Sequence, residues 1–293
     1  MYRVCMHDTK EYNLRWEIQQ RLAAIEAALL WKGQINRKDL KQLFGIGEVQ
    51  AAKDFSKYQD LFPNNMEYDR VIKAYIPTDS FKPQLLKGTS EEFLRLLQSV
   101  PPSRPDATIV LLSTLPPVEI VSAGERSYEN RTLQILNQAI CNRLKVYVQY
   151  QSMSTEVGAD LNLSPHALVY NGFRWHIRAY SEKHKEYRDF LLARIRSISP
   201  TQDIADRDSS SDAIWNKMVD IIIIPHPGLS SSQSRVIADD YGMVNGVFKH
   251  TTRGALVGYF LQLMRVGIGD EKREAKVQQI ILGNKEELRP YIF

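Results

Sequence analysis

The sequence predicts an α+β protein of several domains: an N-terminal winged helix-turn-helix, a small central antiparallel β-sheet or barrel, and a small C-terminal α/β sandwich. Three observations predict it. Apolar residues recur at helical spacing through the first sixty positions, apolar–polar alternation takes over between about 145 and 199, and short strand and helix patterns alternate after 212. A length of 293 residues suits two or three domains better than one.

Over residues 13–31, Leu14, Ile18, Leu22, Ile25 and Leu29 recur at steps of three and four, one stripe of an amphipathic helix. A short helix fits 37–44 with Asn36 as its N-cap. Gly45 and Gly47 break the pattern, and 48–61 resumes it with Val49, Ala52, Phe55 and Tyr58 or Leu61 inward. Helix, short helix, glycine turn and helix outline a helix-turn-helix. The alternation and turn residues of 66–83 suit a β-hairpin, which at that place is a wing.

Residues 91–100 suit a helix, the Pro-rich 101–106 is a breaker and linker, and 108–124 reads as extended or irregular. A helix fits 130–142, with Leu133, Leu136 and Ile140 on one face. A strand follows at 145–154. Three more lie within 166–181 and 187–199, with Asn171-Gly172 as a hairpin turn. The polar, Ser-rich 201–212 marks a second boundary, followed by a strand ending at Pro225, a helix near 231–241, a strand near 243–250, a helix over 253–265 and a strand at 277–282. The expected domains are 1–95, a connector at 96–130, 131–200 and 201–293.

Composition narrows the class. With 43% hydrophobic and 25% charged residues the chain can bury a core. A net charge of +4 is compatible with a polyanion partner without demanding one. Cys5 and Cys141 are the two cysteines, with no His/Cys cluster beside them, so neither a disulfide framework nor structural zinc is expected. No secretory h-region and no membrane-length apolar run is present, which leads to the expectation of a cytosolic chain with no membrane partner.

Catalytic signatures are missing: there is no G-x-S-x-G and no P-loop, and the two GIG loops lack a third glycine. Ser164 and His166 stand two apart without a third group, Pro225-His226-Pro227 stands alone, and Asp239-Asp240 has no metal-ligand neighbours. No catalysis, no cofactor and no metal are expected.

Double-stranded DNA is the expected partner of the N-terminal module. With the third helix phased as above, Gln50, Lys53, Ser56 and Lys57 face outward, residue types that reach base edges and phosphates. Arg37, Lys38 and Lys41 on the second helix, with Arg70 and Lys73 in the hairpin, are placed to hold the flanking backbone. Periodicity alone leaves tri-helical packing without DNA as an equal reading; the chemistry of the third helix tips the balance.

The stretch 170–195 sets His176, Arg178, Arg188 and Arg194 beside Trp175, Phe190 and Leu192. Strand parity puts His176, Arg178 and Tyr180 on one face, joined by one or both of Arg188 and Arg194, with Ser152, Ser154 and His166 at the rim. Cations on a half-buried face repel one another unless neutralised. Either an anionic ligand meets them, or acids elsewhere in the molecule do and the network is structural. Both readings stay open.

Residues 45–83 resemble the winged helix-turn-helix of one branch of the WYL-domain transcriptional regulators. The signature of the same branch's WYL domain is Ser164-Pro-His166, then Arg174-Trp-His-x-Arg-Ala-Tyr180, then Arg188-Asp-Phe-x-Leu-x-Arg-Ile195. Residues 219–243 are similar to the C-terminal extension that follows. The motifs occur in the branch's order over most of the chain. Two features depart from the pattern: Gly47 replaces the usual Ser or Thr at the start of the recognition helix, and no Arg precedes Pro165. The resemblance implies an Sm-like WYL sheet and a homodimer, with the 201–293 region as the dimerising part, on an inverted-repeat operator. It also implies a repressor beside anti-phage defence genes, and a nucleotide or nucleic-acid fragment as effector. A ligand-binding or scaffold protein whose N-terminal helices dimerise without DNA is the alternative.

Overall fold

A computed structural model describes residues 14–98, 121, 128–153 and 158–292. Cys5, Ser154 and the linker at 101–106 lie outside the described residues, as does all of the 108–124 stretch except Val121. The chain falls into two compact units, Met1–Ser122 and Ala123–Phe293.

In the first unit, α1 (Trp16–Ala27) runs into a wider final turn and stops at Gly33, whose φ is +76°. Helix α2 (Arg37–Phe44) starts from a reciprocal cap: Asn36 Oδ1 accepts from the Asp39 amide at 3.1 Å and Asp39 Oδ2 accepts from the Asn36 amide at 3.0 Å. Helix α3 (Glu48–Leu61) starts from Gly47 without a side-chain cap. The wing is an antiparallel hairpin of β1 (Met66–Asp69) and β2 (Ala74–Pro77), followed by α4 (Ser90–Gln98). Leu22, Ile25 and Leu29 meet Leu40, Ala51, Phe55 and Tyr58 in one core. Each fully buried aliphatic side chain there contributes roughly 1.5–3 kcal/mol.

A buried carboxylate locks the module. Glu26 is fully buried; its Oε1 accepts from the amides of Gln84, Leu85 and Leu86 at 2.9, 2.7 and 2.8 Å, and its Oε2 accepts from Tyr58 Oη at 2.9 Å. This pins the chain leaving the wing onto α1. Burial raises the Glu26 pKa, and the bonds to the amides and Tyr58 oppose that rise.

In the second unit, α5 (Asn130–Asn142) lies on an antiparallel sheet of β3 (Leu144–Tyr150), β4 (Ala159–Tyr170), β5 (Trp175–Ser181), β6 (Glu186–Leu191) and β7 (Ile195–Ile204), in the order β6-β5-β4-β3-β7. Ile135, Leu136 and Ala139 of α5 pack on Val146, Val148, Leu161, Leu163, Ile177 and Ala179. A 3₁₀ turn at Leu192–Arg194 splits the predicted 187–199 strand into β6 and β7.

After α6 (Ala213–Asn216), β8 (Met218–Pro225) sits between β9 (Phe248–Arg253) and β10 (Ile280–Leu282). Ile237 of α7 (Ser231–Asp240) joins Val257 and Leu261 of α8 (Val257–Met264) over Ile221 and Ile223. The strand predicted at 243–250 begins later, because Val244 and Val247 bridge each other in a turn first. The result is the expected mixed α+β multidomain architecture.

Candidate DNA-binding face and candidate ligand site

The buried side of α3 is Ala51, Asp54, Phe55 and Tyr58. That turns the helix by about one residue from the predicted phase. Val49, expected inward, is 70% exposed, and Ala52 is half-buried. The physical reason is a buried polar pair that apolar periodicity does not see: Arg21 Nε bonds Asp54 Oδ2 at 2.7 Å, pulling Asp54 inside. Gln50 Nε2 also donates to Asp54 Oδ1, at 2.9 Å, so Gln50 sits half-buried at the edge of the exposed stripe with its amide engaged.

Val49, Lys53 and Ser56 are exposed and follow one another at helical spacing, with Lys57 half-buried beside them. Arg37 and Lys38 at the start of α2, and Arg70 and Lys73 in the wing turn, are exposed as well. A cleft of about 510 Å³ runs between α2, α3 and the wing, lined by Arg37, Lys38, Glu48, Tyr68 and Lys73 among others. Lys41, expected to hold backbone, is 3.3 Å from Glu48. The geometry presents a helix flanked by cations on two sides.

The predicted ligand set is arranged differently. Arg178 is 5% exposed; its Nε and Nη2 donate to Asp212 at 2.8 and 3.1 Å, and its Nη1 lies 3.4 Å from Asp189. The unmet positive demand expected on this face is therefore met by acids of the same unit, and Arg178 is a structural cation. The β5–β6 register sets Asp189 opposite Arg178 and Arg188 opposite Ala179. Arg188 thus does not share the Arg178 face; it is exposed and pairs with Glu186. Arg194 is removed from that face by the 3₁₀ turn.

His166 sits at a β4 bulge, 3.1 Å from Asp212 Oδ2, with Tyr187 and Trp215 edge-on to its ring. Tyr180 packs against Tyr187 and under the Arg207 guanidinium. His176 lies against the Tyr259 ring, centroids 4.9 Å apart, and Tyr259 Oη donates to Asp189 at 3.1 Å. Ser152 follows β3, its carbonyl accepting from Gln151 Nε2. The His176–Arg178–Tyr180 face is thus a seam between the central sheet and the C-terminal region, and Asp212, Trp215 and Tyr259, which strand parity could not supply, complete it.

Electrostatics fit a seam. Burial lowers the pKa of His166 and of His176, outweighing their neighbouring acids. Burial pushes Asp212 up, but hydrogen bonds from Arg178 and the Trp215 amide outweigh it and leave Asp212 below the usual carboxylate range. Asp189 ends raised, burial there exceeding the pull of Arg178. Among the described residues no group of three or more His, Cys, Asp or Glu could hold a metal. No helix among them is long and apolar enough to cross a membrane.

Comparison with known proteins agrees with this layout. Residues 17–99 match the BrxR transcriptional regulator winged helix-turn-helix domain, 131–200 the WYL domain, and 218–288 the BrxR transcriptional regulator C-terminal dimerization domain. The DNA-binding transcriptional repressor CapW of Escherichia coli (strain KTE188) is 36% identical over 94% of this chain and 91% of its own. The chain belongs to the WYL-domain winged-helix regulators of the BrxR and CapW type. CapW of Pseudomonas aeruginosa is 35% identical over 95% of this chain and 93% of its own, and that of Stenotrophomonas maltophilia 33% over 98% and 96%. This BrxR/CapW-type chain is a regulator, not an enzyme.

Proposed function

We propose that the chain is a homodimeric, sequence-specific DNA-binding repressor. It acts on an inverted-repeat operator of an adjacent anti-phage defence operon, and an anionic, nucleotide-like effector modulates it. One observation carries the DNA reading: α3 leaves Val49, Lys53 and Ser56 exposed in a row, with Arg37 and Lys38 on one flank and Arg70 and Lys73 on the other. A helix so flanked enters a major groove while the cations hold phosphates on either side. One winged helix reads few bases, so two-fold pairing extends the site, and a region matching a C-terminal dimerization domain supports that pairing.

An effector acts only through unequal affinity for DNA-competent and incompetent states of the dimer. Because Arg178 is already paired, its role in such a switch is to hold the seam rather than to take the effector.

The test is an electrophoretic mobility shift with DNA upstream of the chain's own operon against a shuffled duplex. The reading expects preferred retention of the upstream DNA by a dimer. Equal retention of both duplexes, or none, favours the scaffold alternative.

A further inference from the structure

The tip of the wing carries side chains that a solvated turn does not favour. Turns select Gly, Asn, Asp, Pro and Ser, yet residues 70–73 read Arg-Val-Ile-Lys. Val71 is 90% exposed and Ile72 49%, side by side where the hairpin reverses between Asp69 and Ala74. Met66 and Tyr75 of the same hairpin pack into the core of the first unit; the two residues at the tip point away from it. Lys73 takes φ +55°, the left-handed region that Gly or Asn enters more easily.

The tip is held in a fixed direction. Asp69 Oδ1 accepts from the amides of Val71 and Ile72 at 2.7 and 3.2 Å. The hairpin is in turn fastened to the helices. Ile35, just before α2, exchanges backbone hydrogen bonds with Tyr75 at 2.9 and 2.8 Å, and the Tyr75 ring stacks on Phe55 of α3, centroids 4.5 Å apart. Wing and α3 therefore meet a duplex as one body. Tyr68 and Lys73 of the wing share a cleft with Arg37 and Lys38, which puts the hairpin on the cationic side of the module.

Charge selects the partner of the apolar pair. Arg70 and Lys73 flank it and are exposed. A second copy's tip is a poor match, because two tips in contact bring four cations together. A duplex supplies the complement: phosphates for the cations, and a minor groove about 6 Å wide that admits two small side chains but no helix. With α3 in a major groove, an element beside it across one phosphate strand faces the adjacent minor groove. Apolar side chains that enter there part base steps and bend the duplex, most readily at pyrimidine–purine steps.

We propose that the wing tip is a minor-groove wedge: Val71 and Ile72 part a pyrimidine–purine step beside the α3 site, while Arg70 and Lys73 hold the phosphates of the groove walls. The wedge rests on the DNA-binding reading and adds to it a second groove and a bend. It makes the tip a specificity element that selects a deformable step without hydrogen bonds to base edges.

The experiment uses the full chain and duplexes of the DNA upstream of its own operon, each with 2-aminopurine in place of one adenine. The fluorescence of that base rises when its stack opens. Wild type should brighten one TA or CA step per half-site by roughly twofold, beside the α3 site. Val71→Ser/Ile72→Ser should bind the same duplexes without brightening, and Val71→Leu/Ile72→Leu should restore it. Both positions are exposed, so folding is not at stake. Replacing that step by the stiffer AA should weaken binding by wild type and leave the serine variant unchanged. Binding by wild type with no brightening, or brightening that persists in the serine variant, overturns the wedge and leaves the DNA reading standing. Retention of no duplex by wild type brings down the DNA reading and the wedge with it. A serine variant that turns monomeric shows the tip to be a contact between copies, which also overturns the wedge.

Discussion

Asp212 accepts from Arg178 and from the Trp215 amide and stands 3.1 Å from His166, so one carboxylate is shared by β4, β5 and the start of α6. Removing the Asp212 charge leaves the buried Arg178 with Asp189, 3.4 Å from its Nη1, as its remaining counter-charge. Asp212→Asn should therefore destabilise the second unit by about 3 kcal/mol, read as a lower urea midpoint; an unchanged midpoint would show the pair to be dispensable. At the DNA face, Val49 is an exposed β-branched side chain with no core to fill, and thymine methyls are the apolar feature of the major groove. One methyl contact is worth about 0.8 kcal/mol, roughly fourfold in affinity. Replacing operator thymines one at a time by deoxyuridine should reveal a position with that loss in wild type and none in Val49→Ala; equal losses in both would place Val49 off the bases. At this scale the sequence was legible where partners are close: the Asn36 cap and its Asp39 reciprocal lie three residues apart. It was illegible for Arg178, whose partner Asp212 is 34 positions away.

At the scale of elements, helical period located α1, α2 and α3 well, yet missed the rotation of α3 because the inward Asp54 reads as a surface residue until Arg21 is brought to it. Alternation located the strands in outline, but β4 starts at Ala159, ahead of the predicted 166, and parity carried through 187–199 failed at the 3₁₀ turn, where the face count resets. The β5–β6 register, with Asp189 opposite Arg178, did not follow from parity, because a hairpin's register is set by its turn.

The seam carries a pH signature. His166 and His176 have folded pKa values lowered by burial, so they stay neutral in the fold while the unfolded chain takes up protons. Their contribution is fully present above the unfolded value of about 6.5 and is lost as pH falls through the folded values. Asp212, also depressed, adds a further loss below about pH 4. Thermal melts of the second unit should fall from pH 7 to pH 5, and less steeply in a His166→Gln/His176→Gln variant. Asp189, whose pKa burial raises, gains stability as pH falls and opposes this loss, so the comparison with the variant decides: identical profiles would contradict the buried, neutral assignment.

For the whole molecule, the module order was legible because the hydrophobic period changes from about 3.6 to 2 and then alternates. What the C-terminal region does for the central sheet was not, since covering the His176–Arg178–Tyr180 face is a tertiary event. The central claim is that the α3 face reads DNA. It is tested most directly by fluorescence anisotropy of operator and shuffled duplexes between 50 and 200 mM salt, for wild type and Lys53→Ala. The account predicts a preference for operator and a log–log salt slope shallower by about 0.9 in the variant, the share of one phosphate contact. Identical slopes, or no preference for the operator at any salt, would contradict it.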